Sequence, residues 1–115
     1  MTKNSKRTLC ALYLNYYAQK DLQAVSALFS DDIILRDWKI RVVGKEKALA
    51  ETKKNFESVN DLAIEILKLH ESQNTVIAEL KINVDAEVLY VVDIITFNEK
   101  DLIASIRAYI GRGDN

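Results

Sequence analysis

With 115 residues, 49% of them hydrophobic, and a formal net charge of −1, the chain has the make-up of one globular domain spanning 1–115. It has no charge excess with which to recognise a polyanion such as nucleic acid. A single cysteine, Cys10, excludes a disulfide within the chain, and one histidine leaves no metal-ligand cluster. No apolar run approaches the ~18 residues of a membrane span and the polar N-terminus lacks a signal-peptide core, so a cytoplasmic location with no membrane partner is expected.

From the N-terminus, Leu9, Leu12, Tyr13, Tyr16 and Tyr17 recur at the spacing of one helix face. This predicts a helix from about Thr8 to Gln19, capped by Asn4, Ser5 or Thr8. The basic clusters Lys3/Lys6/Arg7 and Lys53/Lys54 read as solvated surface. Asp21 can cap a short second helix whose apolar side is Leu22, Val25, Leu28 and Phe29, ended by Ser30-Asp31-Asp32. Ile33-Ile34-Leu35 then opens a strand running into Arg36-Asp37-Trp38, and a short extended piece from Ile40 to Val43 reaches Gly44. The helical period returns from Lys45 to about Glu57 through Ala48, Leu49, Thr52 and Phe56.

After Asn60 the pattern is β to the end. Leu62 to His70, Thr75 to Val84, Val88 to Phe97 and Leu102 to Ile110 form long strands, and the short polar connections between them make neighbours antiparallel. Helices first and a strand meander last predict an α+β domain with helices on one face of a curved sheet.

Side-chain parity sharpens this. Leu89, Val91, Asp93, Ile95 and Phe97 share one face of their strand, while Val88, Tyr90, Val92, Ile94 and Thr96 share the other. An isolated buried charge costs too much, so Asp93 must be hydrogen-bonded, paired or protonated. In the last strand Leu102, Ala104, Ile106, Ala108 and Ile110 face one way, and Ile103, Ser105, Arg107 and Tyr109 the other. The second apolar face exceeds what these helices can cover, which predicts a homodimer through the back of the sheet.

Longer stretches carry a resemblance. Asp21-Leu22 followed by Ala27-Leu28-Phe29-Ser30-Asp31-Asp32 resembles the N-terminal signature of the SnoaL-like and ketosteroid-isomerase-like proteins of the nuclear transport factor two-like superfamily. Asp93-Ile94-Ile95-Thr96-Phe97-Asn98 and then Ile103 through Gly111 are similar to that family's closing hairpin. Gly44 with Ala48 is similar to its glycine before the third helix. The likeness runs from about Thr8 to Gly111. It implies a cone-shaped, mostly antiparallel sheet wrapped on three helices (a cystatin-like α+β barrel) with an apolar cavity at its open end.

For ketosteroid isomerase the resemblance implies roles at three positions. Asp37 falls at the general base that removes a proton alpha to a carbonyl. Tyr13 falls at the oxyanion-hole tyrosine, and Asp93 at the acid kept protonated to donate a second hydrogen bond. No cofactor and no metal is implied. Trp38, Tyr17, Phe29, Phe56, Leu89, Val91, Ile95 and Ile106 are expected to line a site for a small apolar or carbonyl-containing ligand. Trp38 stands where the isomerases carry proline, and only six residues separate Asp37 from Gly44, which suggests a ligand smaller than a steroid. Other roles account for the same residues: a hydrogen bond inside the cavity for Asp93, a core position for Tyr13, and an ion pair with Arg36, Lys39 or Arg41 for Asp37. The alternative function is therefore a non-catalytic ligand-binding or association module of the same fold. The epoxide-hydrolase branch that the resemblance also includes uses an Asp-Arg-Asp arrangement, and Arg107 falls on the face opposite Ile106 and Ala108, away from the expected cavity. His70 reads as solvated, and Cys10 as a small buried hydrophobe.

Overall fold

The structure, a computed structural model, describes residues 5–114, so Lys3 and the candidate cap Asn4 lie outside the described residues. The first helix, α1 (Lys6–Ala18), is capped by Ser5, whose hydroxyl accepts the Thr8 amide at 3.1 Å. Asp21 caps α2 (Leu22–Leu28) in the same way, accepting the Ala24 amide at 3.1 Å.

The next strand begins earlier than the sequence suggests. β1 spans Phe29–Arg36, so Ser30-Asp31-Asp32 are already extended and do not form a loop after the helix. The helix-to-strand switch is immediate because Phe29 and Ile33 both turn into the core, where they are 1% and 0% exposed. Burial thus outweighs the turn preference of the acidic pair. A short β2 (Arg41–Val43) returns alongside β1 and leads into α3 (Lys45–Ser58). The long strands are β3 (Leu62–Ser72), β4 (Thr75–Val84), β5 (Glu87–Phe97) and β6 (Ile103–Ile110).

The six strands form one sheet in the order β2-β1-β6-β5-β4-β3, antiparallel except where β1 meets β6. The sheet curves without closing, leaving β2 and β3 as edges, and the three helices pack on one face. Register shifts feed the curvature, because an extra residue bends its strand and increases the twist. In β3 one falls between Ile66 and Lys68. In β6 another reverses the expected parity: Phe97 pairs with Ile103 but Thr96 with Ser105, so Ala104 is the extra residue. Ile103, expected on the outer face, therefore joins Ile106 inside and is 0% exposed.

The core beneath the helices is formed by Leu9, Cys10 and Leu14 of α1, Val25 of α2, Ala48 of α3, and Val76, Ala78, Phe97 and Ile103 of the sheet. Gly44 joins β2 to α3 with φ 99° and ψ 146°, while its amide bonds the Ile33 carbonyl at 2.7 Å and its carbonyl accepts the Ala48 amide at 3.0 Å. That backbone region is essentially reserved for glycine. A Cβ there would meet nothing within 4 Å, so the constraint is torsional and not steric. Gly44→Ala is expected to destabilise the protein by about 1–3 kcal/mol in urea unfolding; an unchanged midpoint would show that the connection relaxes without strain.

Candidate functional site

The concave side of the sheet and the inner faces of α1 and α3 enclose a cavity of about 330 Å³. Its floor is apolar: Leu35, Leu80, Ile82, Leu89, Val91 and Ile106 all contribute. Its lip is tied down by connections that are themselves polar. Lys20, at the end of α1, donates its ammonium to the Val59 and Asn60 carbonyls, and Asp85 Oδ1 accepts the Asn60 and Asp61 amides at 3.0 and 2.9 Å. The α3–β3 connection that borders the opening is thereby fixed to both α1 and the β4–β5 turn.

Tyr13, Asp37 and Asp93 all line this cavity, as do Trp38, Tyr17, Phe56, Leu89, Val91 and Ile106. Two residues expected there do not. Phe29 and Ile95 are 1% and 0% exposed and lie in the dry core. Ile95 is one inward-facing position beyond Asp93 towards the closed end of β5, and Phe29 sits at the start of β1, paired with Ile103. Phe29 instead backs Tyr13, ring centroids 6.1 Å apart.

Asp93 is 8% exposed and its direct neighbours across the sheet are Ala78 in β4 and Ala108 in β6. Two short side chains leave room around a carboxyl on a face otherwise filled by Val91 and Ile95. No hydrogen bond or ion pair engages that carboxyl among the described residues, yet none of its atoms is sealed off, so it opens onto the cavity. Burial, and secondarily the charge of Asp37, push its pKa up from 3.8 to about 7. The Tyr13 hydroxyl is in the same position. It is 4% exposed, engaged by no hydrogen bond among the described residues, and its pKa is driven well above 10 chiefly by burial. Cys10 packs behind, its thiol raised to about 12 by burial and then by Asp93, which keeps it neutral and unreactive.

The third polar element is at the mouth. Asp37 Oδ1 accepts the amides of Lys39 at 2.7 Å and Ile40 at 2.9 Å, a turn that fixes the carboxylate against the β1–β2 connection. These backbone partners replace the ion pairs with Arg36, Lys39 or Arg41 that the sequence made available. Trp38 beside it is 43% exposed.

Sequence reasoning missed Asn55, which lines the cavity and donates to the Tyr17 hydroxyl at 3.2 Å. Tyr17 in turn stacks edge-on against Phe56 at 4.9 Å and Tyr13 at 5.9 Å. The available signal was Asn55's position three residues after Thr52, beside Phe56 on the inward side of α3. His70 also has a partner that sequence did not supply: its Nε2 lies 2.7 Å from Glu79 Oε2 on the next strand, outside the cavity.

The raised Asp93 has a thermodynamic consequence. Between pH 4 and 7 the folded state keeps a proton that the unfolded chain has released, so this group's contribution is full below about pH 4 and is lost as pH rises through about 7. Asp93→Asn removes that dependence. The stability of the variant relative to the parent should rise by about 4 kcal/mol between pH 4 and pH 8, at 1.36 kcal/mol per pKa unit. Urea unfolding at the two pH values measures it, and a pH-independent difference would mean that Asp93 ionises as an ordinary carboxyl.

The model of the SnoaL-like domain matches residues 11–106, while no curated protein matches the chain. Solved structures share its fold at low identity. An NTF2-like protein of unknown function from Cytophaga hutchinsonii superimposes with a TM-score of 0.82 at 14% identity, covering 96% of this chain and 93% of that one. A provisionally named ketosteroid isomerase from Kribbella flavida gives 0.82 at 14%, covering 96% and 80%. An LEH-like epoxide hydrolase from M. tuberculosis gives 0.75 at 15%, covering 90% and 80%. With a family match over most of its length, the chain belongs to the SnoaL-like domain family.

Proposed function

We propose that the chain is a small cofactor-free isomerase that moves a proton between carbon atoms alpha to, or conjugated with, a carbonyl. The observation that carries this reading is the pair of unused donors. The Tyr13 hydroxyl and the neutral Asp93 carboxyl both open onto one largely apolar cavity that has a fixed carboxylate, Asp37, at its mouth. Buried polar groups normally satisfy one another. Two that do not are arranged for a ligand oxygen.

In this reading Asp37 uses its free Oδ2 to remove the proton while Oδ1 stays held by the Lys39 and Ile40 amides. Charge develops on the carbonyl oxygen, and Tyr13 and Asp93 donate to it from largely apolar surroundings. Asp37 then returns the proton to another carbon on the same face. A largely apolar cavity of about 330 Å³ suits a small apolar carbonyl compound such as a cyclic enone. Epoxide hydrolysis finds less support, since Arg107 is exposed on the outer face and does not border the cavity. A non-catalytic binding module is the second reading. It is favoured by the turn at Asp37, which gives that carboxylate a purely structural occupation.

Proton exchange at the alpha carbon of small cyclic enones, followed by NMR in D2O, separates the two. Asp37→Asn should lower exchange by about 10²–10⁴-fold, the usual worth of a general base. Exchange should also fall as pH rises through about 7, where Asp93 loses the proton it donates. Exchange that is absent, or equal in Asp37→Asn, leaves only the binding module, for which phenol binding in the cavity would remain.

The proposal extends to assembly. The outer face carries a half-buried apolar strip through Ile77, Val92 and Ile94, on which no helix or strand packs among the described residues. A second copy of the chain is the occupant we propose there, giving an isologous dimer. Light scattering should give twice the chain mass. A monomer at high concentration would refute the pairing without touching the chemistry. A cytoplasmic setting accords with the buried, reduced Cys10, and no described helix is long and apolar enough to cross a membrane.

A further inference from the structure

Charges on the outer face of the sheet are handled in two ways. Across β3 and β4 opposite charges face each other in register: Glu65 stands opposite Lys81 and Lys68 opposite Glu79, and His70 meets Glu79 at 2.7 Å. Across β2, β1 and β6 they do not. Arg41 stands opposite Arg36, and Arg36 opposite Arg107, so three guanidiniums cross three adjacent strands in a single row. Strand alternation puts the row outside, because Leu35, Val42 and Ile106, one position away on each strand, are the residues that pack on the core. Among the described residues none of the three arginines makes an ion pair.

Like charges directly opposite one another weaken a sheet. A sequence that sets three like charges in register, while setting opposite charges against one another across β3 and β4, breaks a local rule, and such breaks concentrate at functional positions. The row is also braced. Arg36 Nη2 donates to the Tyr109 hydroxyl at 2.5 Å, and its guanidinium carbon lies 4.7 Å from the centre of that ring. Tyr109 uses its oxygen as an acceptor and keeps its own hydrogen to offer outwards.

We propose that Arg36, Arg41 and Arg107, with Tyr109, form a binding site for a phosphate-class dianion, either inorganic phosphate or the phosphate monoester of a small molecule. Neighbouring strands are about 4.8 Å apart, so the forks can converge on one tetrahedral group. Guanidinium forks match phosphate oxygens two at a time, and a dianion answers three cations better than a carboxylate does. With a net charge of −1 on the whole chain, the attraction is local to this row. The site is on the opposite face of the sheet from the cavity and stands whether or not the isomerase reading does.

Calorimetric titration with inorganic phosphate and with phenyl phosphate at pH 7.5 and constant ionic strength tests it, with acetate and chloride as controls. Expected is saturable binding of one phosphate per chain, at least tenfold tighter than acetate. Arg107→Gln and Arg41→Gln, both at exposed positions, should each weaken it at least tenfold while phenol binding in the cavity is unchanged. Equal affinity for the two phosphates would assign the free ion, and tighter phenyl phosphate a monoester lying on Tyr109; both support the site. Phosphate no better than acetate, or undiminished in the two variants, would overturn it. Light scattering on the same samples shows separately whether two copies pair.

Discussion

Everything distinctive about this cavity depends on the desolvation of one carboxyl. Asp93 sits in the central region of the sheet, between strands that pair with it on both sides, and the backbone there has no freedom to swing it into water. The chain responds in two ways. It surrounds the group with the small side chains of Ala78 and Ala108, and it lets the group hold its proton to about pH 7. A hydrogen-bond partner from the protein would have been the third option, and it is not taken. A carboxyl with a spare donor in an apolar chamber is costly to folding, and the ligand oxygen of the proposed function is what would use it.

Curvature is what turns that constraint into a site. A flat sheet would press α1 and α3 onto Asp93 and fill the space with side chains. The register shift in β3, between Ile66 and Lys68, bends that strand towards the end where Leu62, Ile82, Val84 and Leu89 stand, while the one in β6 at Ala104 lies at the closed end. At the other end Phe97, Ile103, Val76 and Phe29 close the core without a gap. Asp93 is at the boundary between the two regimes. Its position along β5, and not merely its face, decides that it lines a cavity while Ile95, two residues on, is packed solid.

That distinction marks the limit of what the chain's sequence reveals. Periodicity and turn chemistry are local, and they identify the helices, the hairpins, the Asp21 cap and the two faces of β5, and leave Ser5 as one of three candidate caps. The family resemblance adds Tyr13, Asp37 and Asp93, which the structure gathers around one opening. Depth along a strand is not local. Phe29 and Ile95 carry the right parity for the cavity and the wrong depth, because depth is set by where the sheet parts from the helices. The bulge at Ala104 is equally invisible: nothing in Ile103-Ala104-Ser105 marks an extra residue, and parity counted across it puts Ile103 on the wrong side. Asn55 is missed for a related reason, since a polar residue at the flank of an amphipathic helix is ordinarily solvated. The onset of β1 at Phe29 goes to tertiary burial over the turn preference of Ser30-Asp31-Asp32.

The two irregularities of charge in the molecule lie on opposite faces of contiguous strands, and they have opposite origins. Inside, Asp93 is one acid without a partner, tolerated because it can discharge itself by keeping a proton. Outside, Arg36, Arg41 and Arg107 have no such escape, since a guanidinium does not deprotonate in a protein. Solvent and salt screen the row, which makes it affordable at the surface. Screening is indifferent to register, however, and accounts for scattered arginines as readily as for three abreast. The alignment across β2, β1 and β6, and the orientation of Arg36 by the Tyr109 hydroxyl and ring, are features that screening does not require and that a shaped anion does.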